Sequence, residues 1–113
     1  MQLQLSDAGD GILSISLIGR LDTPGVDVIE TQLTARLVPR GARAIIDLSQ
    51  VSFMGSGGIR MFITISRALA RKGGKLALFG AQPLVAQVLE TTSLNALVPV
   101  RADAETAAAV VRA

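Results

Sequence analysis

The chain has 113 residues, half of them hydrophobic, and carries 11 basic against 9 acidic side chains, which predicts one domain with a substantial core. It contains neither cysteine nor histidine, which excludes disulfides, zinc sites of the Cys/His kind and histidine-based catalytic triads. Only three aromatic side chains are present and the basic residues are dispersed along the sequence, so we expect no nucleic-acid binding.

The first third of the chain reads as a hairpin followed by a helix. Alternating leucines in the first five residues predict a short strand, and residues 12–18 predict a second strand that pairs with it. Thr23 followed by Pro24 is a helix-start signal, and Pro39 closes the helix. Its inward positions recur at helical spacing and are Val26, Ile29, Leu33 and Leu37.

The middle of the chain predicts a buried strand, a glycine-rich loop and a second helix. The strand runs from about Arg43 to Leu48, the helix begins near Gly57, and a glycine pair at residues 73–74 ends it. We expect its inward face to consist of Ile59, Phe62, Ile63, Ser66, Leu69 and Ala70.

The last third continues the alternation of strands and helices. Residues 75–79 predict a strand, residues 82–91 a third helix, and residues 97–100 an edge strand, since an interior strand tolerates proline badly. A closing helix follows over residues 102–112, capped by Asp103. The whole pattern predicts an α/β fold in a single domain over residues 1–113, with a mostly parallel sheet of four to five strands, an N-terminal hairpin and about four helices.

Gly55, Ser56, Gly57 and Gly58 form the glycine–serine loop at the start of the second helix. The first N–H groups of such a helix lack internal partners and its dipole is positive there, which would favour an oxyanion or a phosphate on Ser56. The loop is neither a Walker A motif nor a dinucleotide fingerprint, and a hydrolase using Ser56 would lack a histidine base. Two compatible interpretations remain: Ser56 is an ordinary N-cap, or it is a phospho-acceptor.

Other polar positions have simpler interpretations. Asp22 and Asp47 follow predicted strands, and such acids more often cap a turn or helix than bind Mg²⁺ or act as acid and base. A basic stripe on the second helix is interpreted as a solvated face that could also dock an acidic partner; it comprises Arg60, Thr64, Arg67 and Arg71. A neighbouring apolar stripe is interpreted as partly core, with any exposed part a docking patch; it comprises Met61, Ile65 and Ala68. We predict no catalytic residue, metal or cofactor.

Three separated segments resemble the STAS domain family, whose soluble members include bacterial anti-sigma factor antagonists. They are residues 19–22, 45–54 and 85–97, and the order of elements agrees as well. In that family the signature loop reads Asp-Ser/Thr-Ser-Gly, and a partner kinase phosphorylates the second hydroxyl residue. Here Gly55 replaces the aspartate and Gly57 the usual acceptor, while Ser56 matches the first hydroxyl position. The resemblance therefore implies a docking surface whose phosphorylation switch is altered.

The resemblance also implies partners and a role. It implies a non-enzymatic module that binds an anti-sigma factor or serine kinase of the GHKL type, with a phosphatase if phosphorylation remains. We expect a monomer or weak dimer, and the composition predicts a cytoplasmic protein. The partner-binding residues it implies are Asp22, Thr23, Met54, Gly55, Ser56, Gly57, Gly58, Arg60 and Met61. The alternative is a STAS subunit of a membrane transport system, such as the partner of a phospholipid-type ABC transporter ATPase. We expect no membrane insertion, because no apolar run approaches about 18 residues and the start lacks a signal-peptide pattern.

Overall fold

The structure is a computed structural model that describes residues 1–113. It is an α/β domain built on one five-stranded sheet in the order β1-β2-β3-β4-β5. The strands are β1 (Gln2–Asp7), β2 (Ile12–Leu21), β3 (Arg43–Met54), β4 (Lys75–Phe79) and β5 (Val100–Arg101). The helices are α1 (Thr23–Leu37), α2 (Ser56–Arg71), α3 (Pro83–Thr91) and α4 (Ala104–Arg112), and a 3₁₀ turn covers Leu94–Ala96. The predicted fold class is confirmed.

The direction of the strands determines where the loops lie. β1 pairs antiparallel with β2, with Leu3 opposite Leu17, and the remaining strands are parallel neighbours. The carboxyl ends of β2, β3 and β4 therefore lie at the same edge of the sheet. The helices that follow these strands start at that edge, which is where ligands and partners usually meet an open α/β sheet.

Two apolar clusters hold the helices against the sheet. The larger one packs α1, α2 and α3 on one face and includes the four predicted inward residues of α1, which are all buried. The smaller one packs α4 on the opposite face, where Ala107 and Val111 contact the layer that contains Ile45. No helix is both long and apolar enough to cross a membrane.

The inward face of α2 differs from the predicted one. Met61 and Ile65 are buried in the core, whereas Ser66 is only half-buried and Ala70 is exposed. The reason is the helical period: Gly58 is buried against Leu21 and Met54, and positions three, four and seven residues later lie on the same stripe. Ile65 follows Gly58 by seven residues and so belongs to the core rather than to a surface patch.

Two strand boundaries were also predicted wrongly. β3 continues to Met54 rather than ending at Leu48, because β2 extends alongside it to Leu21. The edge strand is Val100–Arg101 rather than residues 97–100. Pro99 has no N–H to donate, although its carbonyl oxygen accepts from Leu78 N–H at 2.9 Å, so regular pairing begins only after it.

Candidate functional site

Two helix starts lie side by side at the carboxyl edge of the sheet. Leu21 and Met54 are paired neighbours at the ends of β2 and β3, and Gly55 N–H donates to the Leu21 carbonyl oxygen at 3.0 Å. The next residues, Asp22 and Gly55, are the N-caps of α1 and α2. A shallow cavity of about 270 Å³ lies between them, lined by Leu21, Asp22, Thr23, Phe53, Gly55, Ser56 and Gly57. Five of the predicted partner-binding residues thus share one cavity.

Asp22 stabilises the start of α1. Its Oδ1 accepts from Gly25 N–H at 2.9 Å, and its Oδ2 accepts from Arg20 Nε at 3.3 Å. The hydrogen bond from Gly25 is the largest cause of a lowered pKa of the Asp22 carboxyl, and Arg20 lowers this pKa further. The capping interpretation of Asp22 is confirmed, and its carboxylate is charged at neutral pH.

The N-cap of α2 is Gly55, so the N-cap interpretation of Ser56 is wrong. Gly55 has an extended conformation with φ −95°, and no side chain caps the helix. Pairing of Met54 with Leu21 ends the strand there, which leaves Gly55 at the cap and Ser56 as the first helical residue. The Ser56 side chain is exposed. It is therefore available to solvent or to another molecule.

The glycines of the glycine–serine loop are not equivalent. A Cβ on Gly58 would lie 3.3 Å from Leu21 Cβ and Met54 Cγ, so a side chain there would push these two neighbours by a few tenths of an ångström. A Cβ on Gly57 would lie 3.6 Å from Val26 Cγ2, an ordinary van der Waals contact. The backbone therefore does not exclude a side chain at Gly57, the position that matches the family's usual acceptor.

Three residues of the predicted partner-binding set are buried, namely Met54, Gly58 and Met61. Met54 is 3% exposed and Met61 is fully buried, and both belong to the larger core cluster. Their side chains support the site from beneath and are not on the surface that a partner would meet. Arg60 is exposed at the beginning of the second turn of α2, and the other members of the basic stripe, Thr64, Arg67 and Arg71, are exposed as well.

Asp47 has a structural position elsewhere on β3. Its Oδ1 accepts from Ser49 N–H at 2.8 Å, inside an irregularity of the pairing between β2 and β3. It does not line the cavity at the glycine–serine loop. No group of three or more acidic side chains converges in a way that could hold a metal ion.

Phe53 and Arg20 are site residues that sequence reasoning missed. Phe53 lines the cavity and is 40% exposed, and the Arg20 guanidinium carbon lies 4.5 Å from the centroid of its ring. The available signal was an aromatic residue next to the loop, but a regular strand does not predict that it faces solvent. A shift in the pairing of β2 with β3 after Gly19 turns the Phe53 side chain toward solvent.

Comparison with known proteins identifies what this chain is similar to. A family model described as the STAS domain matches residues 6–107. The protein BtrV of Bordetella bronchiseptica, named provisionally as an anti-sigma factor antagonist, is 28% identical over 103 residues, which cover 91% of this chain and 89% of that protein. An anti-sigma-B factor antagonist of Listeria monocytogenes is 23% identical over 101 residues, covering 89% of each. The crystal structure of an anti-sigma factor antagonist from Mycobacterium paratuberculosis shares the fold, with a TM-score of 0.87, 24% identity and coverage of 99% and 94%.

Proposed function

The chain belongs to the STAS domain family, and we propose that it is a non-enzymatic regulatory module that binds an anti-sigma factor. The relatives named as anti-sigma factor antagonists match along most of its length, which supports this role. They do not favour the alternative of a transport-system subunit. We propose that binding uses the docking surface, a set of exposed and partly exposed residues that comprises Asp22, Thr23, Gly55, Ser56, Gly57 and Arg60.

The observation that carries the proposal is the shared cavity between the two helix starts. Asp22 and the glycine–serine loop are 33 positions apart in sequence, counted from Asp22 to Gly55, yet they line one open depression. The depression offers a carboxylate from Asp22 and the start of α2, which no side chain caps, while Arg60 lies exposed one turn further along that helix. These are groups that can bind a protein surface.

The same surface bears on regulation. Ser56 is the only hydroxyl residue of the glycine–serine loop, and its side chain is exposed. A phosphate on Ser56 would add nearly two negative charges at the centre of the docking surface. An unpaired charge buried in an interface costs about 2–5 kcal/mol, enough to release a partner. Under this proposal a GHKL-type serine kinase and a phosphatase act only if Ser56 substitutes for the acceptor that Gly57 replaces.

A binding experiment with a matched pair of variants tests the docking surface. Each anti-sigma factor and GHKL-type kinase encoded in the same genome is titrated against the wild-type chain, Asp22→Asn and Asp103→Asn by calorimetry. Asp103 caps α4 as Asp22 caps α1, with Oδ1 accepting from Thr106 N–H at 2.9 Å, and asparagine caps nearly as well as aspartate. We expect Asp22→Asn to weaken binding by about tenfold and Asp103→Asn to leave it unchanged. Binding to none of these proteins would contradict the proposed function.

The state of the switch is a separate measurement. The chain is incubated with the bound kinase and ATP, and intact masses are recorded for wild type and Ser56→Ala. A phosphate adduct in wild type that disappears in Ser56→Ala would identify Ser56 as the acceptor. No adduct in either would identify a docking surface without a switch.

A further inference from the structure

Arg20 is held by two neighbours at the border of the docking surface. Its guanidinium carbon lies 4.5 Å from the centroid of the Phe53 ring, in the range of a cation–π contact. Its Nε donates to Asp22 Oδ2 at 3.3 Å. The Arg20 side chain nevertheless remains 59% exposed. The guanidinium is thus oriented on one face and at one edge while its opposite edge meets solvent.

A β-bulge produces this arrangement. Gly19 pairs with Val51 but Arg20 pairs with Phe53, so Ser52 is an extra residue in β3. The Ser52 hydroxyl donates to the Gly19 carbonyl oxygen at 3.4 Å across the bulge. The next pair, Leu21 and Met54, is buried. Because successive side chains of a strand point to opposite faces, Arg20 and Phe53 point to the other face of the sheet. They therefore come together on the exposed face.

The free edge of Arg20 specifies the chemistry of a ligand. The Nη1 and Nη2 groups carry four N–H donors, none of which has an acceptor in the chain, and a guanidinium has no acceptor of its own. Its planar fork matches a carboxylate with two parallel hydrogen bonds. The Asp22 carboxylate beside it balances one positive charge, so a singly charged carboxylate suits the site better than a doubly charged phosphate.

A cavity adjoins this edge. It has a volume of about 390 Å³ and borders both Arg20 and Asp22. Its remaining lining consists of Met1, Gly19, Pro24, Gly25 and Val28. Val28 is 51% exposed and offers apolar contact to the methylene groups of a long acidic side chain. Since Phe53 and Asp22 already restrict Arg20, the Arg20 side chain would lose little rotamer entropy when a ligand binds.

We propose that the free edge of Arg20 receives the carboxylate of an aspartate or glutamate side chain of the anti-sigma factor, which makes Arg20 a specificity-determining residue of the docking surface. This inference rests on the proposed function and names the chemistry of the partner that meets it. Phe53 and Asp22 are positioning residues for Arg20. The contact extends the interface from the glycine–serine loop to the border formed by β2 and β3.

The test uses the full chain with the anti-sigma factor that the wild type binds. Variants are Arg20→Gln, Arg20→Lys and Phe53→Leu, and the matched control is Arg101→Gln. Arg101 is an exposed arginine in β5, three strands from β2 or about 14 Å along the sheet, and its Nη1 bonds only the Val100 carbonyl oxygen. Thermal unfolding of each variant, measured alongside binding, detects any loss of the fold.

We expect Arg20→Gln to weaken binding at least about tenfold, mainly through faster dissociation. Arg20→Lys should weaken it less, because lysine keeps the positive charge but lacks the paired N–H donors of the guanidinium. Phe53→Leu weakens binding about threefold, because Arg20 loses the aromatic ring that orients its guanidinium. Each aspartate or glutamate on the partner's surface is replaced in turn by asparagine or glutamine. For one of these residues, the loss of affinity should not add to the loss caused by Arg20→Gln. Arg101→Gln leaves binding unchanged.

Two results would overturn the inference while leaving the docking proposal intact. One is wild-type affinity in Arg20→Gln together with weakened binding in Asp22→Asn. The other is an Arg20→Gln effect that vanishes in the Asp22→Asn background and couples to no partner acid, which would mean that Arg20 only orients Asp22. If the wild-type chain binds no anti-sigma factor, the proposed function itself is contradicted.

Discussion

Gly25→Ala is predicted to destabilise the domain by about 2 kcal/mol, because α1 passes too close to the end of β2 for a side chain. A Cβ on Gly25 would lie less than 3.0 Å from the Arg20 carbonyl oxygen and 3.1 Å from Asp22 Oδ1. Backbone rather than a flexible side chain is the obstacle, so the first turn of α1 must move. Such overpacking costs about 1–3 kcal/mol. Moving the Gly25 N–H also weakens its bond to Asp22, and the better helix propensity of alanine returns about 1 kcal/mol.

The assay is urea unfolding at neutral pH, with Gly57→Ala as the matched control. Gly57 occupies the first turn of α2, and a Cβ there would meet only Val26 Cγ2 at 3.6 Å, so Gly57→Ala should keep or slightly raise stability. For a domain of this size, about 2 kcal/mol lowers the melting temperature by about 8 °C. A Gly25→Ala variant as stable as Gly57→Ala would refute the steric reasoning.

Three further predictions concern the switch, the helix caps and the core. Gly57→Ser should fold normally, because a Cβ at this position has room. The bound kinase should phosphorylate this variant faster than wild type, as measured by intact mass. Equal rates would show that the kinase does not use this position. The carboxyls of Asp22 and Asp103 have lowered pKa values in the folded chain, so protons bind the unfolded chain more strongly and stability falls as the pH drops below about 3.8. The double variant with asparagine at both positions should lose less stability than wild type between pH 7 and pH 3, measured by urea unfolding. An equal loss in both proteins would show that these two carboxyls do not cause the pH dependence. Met61→Ala should cost about 2–5 kcal/mol because the side chain is fully buried; reduced partner binding with unchanged stability would instead make Met61 a surface contact.

Periodicity and turn chemistry predicted most of the fold. The inward residues of α1 follow directly from helical spacing, and the hairpin from alternation around a glycine-rich turn. The edge strand was misplaced because the sequence does not reveal which residues near Pro99 find a partner on β4. The face of α2 was misjudged because both apolar stripes satisfy the helical period, and only the close approach of Gly58 selects between them.

The sequence also predicts some features of the candidate site and leaves others to the tertiary structure. The glycine-rich start of α2 is readable in the residues because it depends only on local chemistry, and the resemblance to the family shows the loss of the usual acceptor at Gly57. The sequence did not reveal that Gly55 rather than Ser56 is the N-cap. That Asp22 meets the glycine–serine loop depends on the pairing of Leu21 with Met54, a contact between distant segments. The exposure of Phe53 beside Arg20 depends on a bulge of one residue, which reverses the face of every later side chain in the strand. Local propensities act over a few residues, whereas register is settled by the packing of the whole sheet, and it is register that places the exposed side chains of this surface.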